Sequence, residues 1–209
     1  MPYEFRDVIA SELQMREVMG EPSQLVVDKA VDHLDQHSRA FIKKCPFVVI
    51  ATTDGNTRID ASPKGDAPGF VQILDERTLV IPDRPGNRRA DTFRNVLRHP
   101  WLGLIFLVPG MRETLRVNGK AVVTRDQDLR AKLAVNGKMP DLLLGVEIKE
   151  VLFHYGKCMI RSGLWTPEKW ECCEGLPSLA ESLSAVSDAA GDVDELQEAI
   201  ERAYREKLY

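Results

Sequence analysis

The chain has 209 residues, 44% of them hydrophobic and 29% charged, which is enough to bury a core without metal or disulfide staples. Its net charge of -4 excludes a globally basic nucleic-acid binder, so any anion site must be built locally. The N-terminal stretch MPYEFRDVIASELQ has early acidic residues and no apolar h-region, and the longest apolar run, WLGLIFLVPG, is too short to span a bilayer; a cytoplasmic chain without membrane or nucleic-acid partners is expected.

In chain order, residues 1–22 read as an N-terminal extension, 23–170 as one domain with a leading helix, and 171–209 as a C-terminal tail. Leu25, Val26, Ala30, Val31, Leu34, Phe41 and Ile42 recur near helical spacing and predict a helix over about 24–44, with Ser23 as its cap. Phe47–Thr52 is a β-type run, and Asp54-Gly55-Asn56 supplies a hairpin turn. Arg58–Ser62 resumes the strand pattern until Pro63 and the Pro68-Gly69 pair interrupt it. Phe70–Leu74, Thr78–Ile81, Leu102–Val108 and Thr114–Thr124 predict further strands, with a helix over Asp91–Arg98 and another over Asp126–Ala134. Val146–Tyr155 reads as a last strand with partial alternation, and the tail ends in a charged helix, DVDELQEAIERAYREKLY.

Short strands with few helices between them predict a mainly β (α+β) fold, a closed or partly closed antiparallel barrel with peripheral helices. Neither G-x-G-x-x-G nor the Walker pattern occurs, which argues against Rossmann and P-loop nucleotide sites.

Three stretches could carry chemistry. In IPDRPGNRRADTF (81–93), Arg84-Pro85-Gly86-Asn87 has the residue order of a type II turn. Asn87 is then placed to cap the following helix, with Arg88 and Arg89 in its first turn. Cations there are unfavourable unless an anion joins them, so either a phosphate binds or the arginines meet water, Asp60, Asp83 or Asp91. In RIDASPKGD (58–66), Arg58, Ser62 and Lys64 fall on one face of a continuous strand, as a phosphate monoester requires; a polar edge strand would look the same. In GMRETLRVNGKA (110–121), Arg112, Thr114 and Arg116 alternate, which suits a cofactor edge or a subunit contact, and Gly119 beside Asn118 marks a bulge or a turn.

The order of these motifs strongly resembles the FMN-binding split-barrel family related to pyridoxamine 5′-phosphate oxidase, in the subgroup with DASPKGD and IPDRPGNRR signatures. The resemblance covers roughly residues 40 to 165. It implies a six-stranded antiparallel split β-barrel with peripheral helices, paired as a homodimer with FMN at the subunit interface. It implies that Arg58, Ser62 and Lys64 hold phosphate and ring edge, that Asn87, Arg88 and Arg89 grip the FMN phosphate, and that Arg112, Glu113 and Thr114 face the flavin from the partner subunit. In KCMIRSGLW it brings Lys157, Arg161 and Trp165 to the cofactor or substrate side. The family's Arg/Trp-rich C-terminal segment is replaced here by ECCEGLPSLAESLSA and an acidic helix, so the resemblance carries FMN binding but not oxidation of pyridoxamine phosphate. An oxidoreductase acting on a small substrate through flavin N5 is the expected function. A non-catalytic flavin-binding or sensing module, and the same barrel holding haem or a deazaflavin, stay open. No catalytic residue is assigned.

The remaining candidates have plainer readings. His33 and His37 lie one helical turn apart but lack a third ligand, so no metal site is expected. Cys45, Cys158, Cys172 and Cys173 show no metal-binding spacing and read as reduced thiols.

Overall fold

The structure, a computed structural model, describes residues 2–209. Helices α1 (Glu12–Met19), α2 (Gln24–Asp28) and α3 (Gln36–Lys44) precede strands β1 (Phe47–Thr53), β2 (Ile59–Gly65), β3 (Gln72–Ile73) and β4 (Thr78–Pro82). Then come α4 (Asp91–Arg98), β5 (Trp101–Leu107), β6 (Thr114–Thr124), α5 (Gln127–Lys132) and β7 (Leu143–His154). Helices α6 (Lys157–Ser162), α7 (Leu179–Ser184) and α8 (Val193–Glu206) close the chain, with short 3-10 turns at Pro167–Lys169 and Asp188–Ala190.

The single helix expected over 24–44 is two helices, and Ser23 starts the first without a side-chain cap bond. Two local choices cause the break. Asp35 accepts the Ser38 backbone N–H at 2.8 Å and so restarts the helix as a new N-cap. Val31 is drawn into a β-bridge with Val151, exchanging backbone hydrogen bonds of 3.0 and 2.6 Å. That bridge covers β7 beyond the point where β4 stops pairing, an edge otherwise open to solvent. His33 therefore lies outside the helix that holds His37, and its Nδ1 sits 2.9 Å from Asp32 instead.

The strands form one antiparallel sheet in the order β2-β1-β5-β6-β7-β4-β3. It holds seven strands, one more than the resemblance implies, and the shortest, β3, has two residues. Strand β2 runs through Pro63 to Gly65, where the sequence suggested a break. It can do so because β2 is an edge strand, and a missing N–H is tolerated where only one neighbour pairs. At β7 the register against β6 jumps: Asn118 pairs with Glu150 and Gly119 with Ile148, leaving Lys149 as the extra residue. The inward set on β7 consequently switches from Leu144, Val146 and Ile148 to Val151 and Phe153. This parity change is why the strand shows only partial alternation in sequence. Gly119 sits where the backbone carbonyl of Glu147 leaves no room for a Cβ.

Val48, Ile50, Leu104, Phe106, Leu115, Val117 and Ile148 fill the barrel interior, and Phe41 and Ile42 of α3 join the same core. Each such side chain contributes about 1.5–3 kcal/mol by leaving water. The sheet curls until its β2 edge faces the segment that follows β4. Side chains close this seam: Arg84 Nε donates to Asp66 Oδ2 at 2.6 Å, and Thr92 Oγ1 donates to Asp60 Oδ2 at 3.1 Å.

Candidate functional site

The seam concentrates charged side chains. On β2, Asp60, Ser62 and Lys64 are half-buried on one face, while Ile59, Ala61, Pro63 and Gly65 are exposed on the other. Arg58 precedes the strand at one end and Asp66 follows it at the other, about 26 Å away at the rise of an extended chain. Across the seam, burial pushes the Asp83 carboxyl above its ordinary value, and the nearby Lys64 charge only partly offsets that. Ser62 and Lys64 thus share one face of β2 along the seam, as expected from a continuous strand.

The loop opposite differs from its sequence reading. Gly86 does not take a positive φ, so the type II turn is not formed; Arg88 (φ 59°) and Ala90 (φ 56°) adopt the left-handed conformation instead. Asn87 spends its side chain locally, its Oδ1 accepting the Arg89 N–H at 3.0 Å. Ala90 rather than Asn87 is the N-cap of α4, and it offers no side-chain hydrogen bond. Arg88 and Arg89 therefore stand before the helix, not in its first turn. Two left-handed non-glycine residues cost about 1–2 kcal/mol each, which concentrates backbone strain on either side of Arg89.

A cavity of about 330 Å³ opens between this loop, α4 and the start of β2. Thr57, Arg58, Asp60, Arg89, Asp91 and Arg94 contribute to its lining, with Asn95 and Arg98 behind them. Four arginines against two aspartates leave it electropositive. Arg89 Nε donates to Asp91 Oδ2 at 2.8 Å, and this bond holds the Asp91 carboxyl below its ordinary value. Arg94 lies 3.7 Å from the same carboxylate. Arg58 and Arg98 form no ion pair among the described residues. The N–H groups of α4, lacking a cap side chain, add the positive end of a helix dipole beside them. Arg94 and Arg98 were not singled out in the sequence; their spacing of four within the predicted helix 91–98 was the available signal.

Of the residues expected at a site, Arg58 and Arg89 meet at this cavity, Ser62 and Lys64 lie further along the same face of β2 outside it, and Asn87 shapes the loop. Arg88 is exposed and does not line the cavity. Arg112, Glu113 and Thr114 are elsewhere. Pairing of Phe47 with Leu107 and of Thr114 with His154 places them at the opposite end of the strands from Arg58. Trp165 joins them, its Nε1 donating to the Met111 carbonyl at 2.7 Å. Gly156, the N-cap of α6, lies so close to Arg112 that an added methyl would stand 2.8 Å from its carbonyl oxygen. Lys157 and Arg161 are exposed on α6. One chain thus carries two separate clusters, an arginine cavity and a Trp165-braced loop.

Residues 34–155 match the pyridoxamine 5′-phosphate oxidase family. The chain belongs to that family, whose FMN-binding split-barrel architecture the curled antiparallel sheet follows. Among solved structures it is similar to a putative pyridoxamine 5′-phosphate oxidase from Lactobacillus delbrueckii, at 22% identity and TM-score 0.46, over 58% of this chain and 95% of that one. It is also similar to an FMN-binding protein from Syntrophomonas wolfei, at 12% identity and TM-score 0.42, over 68% of this chain and 95% of that one. HutZ, a haem storage protein from Vibrio cholerae, is similar at 15% identity and TM-score 0.41, over 58% of this chain and 94% of that one. No curated protein matches the chain. Among the described residues no helix is long and apolar enough to cross a membrane.

Proposed function

We propose that the chain is a cytoplasmic FMN-binding flavoprotein that works as a homodimer and serves as an oxidoreductase for a small substrate. The observation that carries this reading is the cavity where Arg58 and Arg89 face the uncapped N-terminus of α4. Guanidinium forks and free backbone N–H groups together suit a phosphate monoester. Ser62 and Lys64 then extend along β2 as hydroxyl and cation donors for the ring edge. FMN, when bound, supplies the two-electron chemistry at flavin N5; the protein's part is anchoring, orientation and local charge.

Dimerisation accounts for two further features. The outward face of β1, β2 and β5 is apolar, with Phe47, Ile59, Trp101 and Ile105 all exposed. A second copy seated on that face shields it and brings its own 112–114 segment and Trp165 toward the groove. Neither cluster reaches the other within one chain. A haem reading has less support at the cavity, because its lining offers no His, Cys, Met or Tyr as an axial ligand.

The test is the chromophore and stoichiometry of the purified protein. One FMN per chain, released on heating and identified by its absorbance and fluorescence, is expected from a dimer in solution. A colourless chain that gains no flavin on incubation with FMN, or one that retains a deazaflavin or haem instead, overturns the reading.

A further inference from the structure

Tyr209 lies beside the barrel seam, far in sequence from Asp66, Arg84 and Lys138, which hold it. Its hydroxyl donates to Asp66 Oδ1 at 2.7 Å, its ring lies under the Arg84 guanidinium at 5.8 Å, and Lys138 Nζ donates to its backbone oxygen at 2.8 Å. Asp66 and Arg84 are the same two residues that close the seam, and Arg84 Nη1 also donates to the Leu133 carbonyl at 3.0 Å. Asp66 stands two positions beyond Lys64 on β2. Tyr209 therefore covers the Asp66 end of the seam, opposite the arginine cavity.

The helix that delivers it is lightly attached. Helix α8 buries none of its side chains, and its packing partner α7 buries only Ala180. A specific polar anchor at the end of a weakly packed helix is the arrangement of a reversible fastening, because opening it exposes little apolar surface. The Asp66 carboxylate pushes the Tyr209 phenol above its ordinary value, so the hydroxyl remains a donor across neutral pH.

We propose that Tyr209 is a latch on the Lys64 end of the cofactor groove, so that α8 controls cofactor exchange. The proposal rests on the FMN reading above. With the latch seated, Arg84 and the loop that leads to Arg89 are held against β2. With it released, the seam loses its anchor from the tail and the groove opens at the ring end. Nothing in the barrel itself requires Tyr209, since the core is complete without it.

The experiment compares the full chain with Y209F and K138A. Hydrogen exchange of segment 193–209 is followed without added FMN, and the rate of FMN release is followed by fluorescence recovery after dilution. Y209F is expected to speed exchange across α8 and to raise the release rate about tenfold, the lower end of what loss of a hydrogen bond to a charged group produces. K138A is expected to shift both readouts in the same direction by less. Unchanged exchange in α8 overturns the anchor. Faster exchange with unchanged FMN release overturns the gating role while leaving the cofactor reading intact. A parent chain that takes up no FMN overturns the cofactor reading and the gating role together, whatever the tail does.

Discussion

Arg84 donates to Asp66 at 2.6 Å across a seam of the barrel that no backbone ladder closes among the described residues. The Asp66 side chain is 3% exposed and that of Arg84 16%, so this is a sheltered ion pair in place of a missing pair of strands. Its position ties stability to the proposed cofactor site. The same pair holds the start of the 83–90 loop against the end of β2.

Asp66 makes a prediction about acid stability. Burial raises its carboxyl, but hydrogen bonds from Tyr209, from the Ala67 N–H and from Arg84 outweigh it and hold the carboxyl below its ordinary 3.8. A depressed carboxylate contributes stability that is complete above the unfolded value and is lost as pH falls through the lower folded value. Urea midpoints of the parent chain should therefore decline as pH drops below 3.8, and D66N should flatten that limb. R84A, which strands a buried carboxylate, should cost about 3 kcal/mol at neutral pH. Parallel acid limbs in parent and D66N chains would remove Asp66 from this account.

The two arginines of the NRR motif should behave differently. Arg89 lines the cavity and Arg88 does not. R89A and R58A should each weaken FMN about 10- to 100-fold, the effect of losing one charge-assisted hydrogen bond, and together they should abolish stoichiometric binding. R88A should weaken it by less than either. Fluorescence titration of FMN against the apo chains measures this. Equal losses at Arg88 and Arg89 would mean that the loop is arranged otherwise when the phosphate is bound.

Ala90 holds φ at 56° as an uncapped N-cap, a conformation that glycine adopts without steric cost. A90G should therefore raise stability by about 1 kcal/mol in the chain without cofactor, a shift of about 2–4 °C in Tm at this size. The same change loosens the segment that presents Arg89, so FMN affinity should fall while Tm rises. Calorimetry and titration on one preparation read both. A fall in both would show that Ala90 packs in a way its Cβ alone requires.

The outward sheet face supplies a solution test. Ile59 is 82% exposed on an edge strand, an unusual place for such a side chain unless a partner covers it. I59E and I105E should leave the fold intact, since neither side chain enters the core, and should convert the dimer proposed above to a monomer by size-exclusion with light scattering. If the proposed dimer completes the site, they should also release FMN, because each site then lacks the 112–114 segment of a second copy.

Much of this fold is legible in the sequence because its turns are local. Asp54-Gly55-Asn56 marks the end of β1, and the helix expected from Asp126 starts at Gln127, one residue later. What was not legible depends on partners distant in sequence. Val31 leaves its helix because β7 needs an edge partner, and Pro63 stays in a strand because β2 has only one neighbour. The parity change in β7 requires knowing that Gly119 meets it across the sheet. At the site, the even spacing of Ser62 and Lys64 was readable, whereas the loop geometry was not. Pro85-Gly86 signalled a turn that Arg88 and Ala90 make instead, and the Tyr209–Asp66 bond joins residues no periodicity relates.

The last prediction isolates the second cluster from the first. Gly156 has φ -72°, so its backbone conformation is open to any residue; space alone excludes a side chain there. A methyl would stand 2.7 Å from Arg112 Cβ and 2.8 Å from its carbonyl oxygen, and backbone cannot yield as a flexible side chain would. G156A should therefore displace the 109–113 loop and strain the Trp165–Met111 bond, at about 1–3 kcal/mol for overpacking. The arginine cavity lies at the far end of the strands and should be undisturbed. If the loop reaches the flavin across a dimer, G156A should weaken FMN binding while inorganic phosphate, probed by its protection of the apo chain against heat, still binds as before. Loss of both would mean that the strain travels through the barrel, and loss of neither would place the 112–114 segment outside the cofactor site.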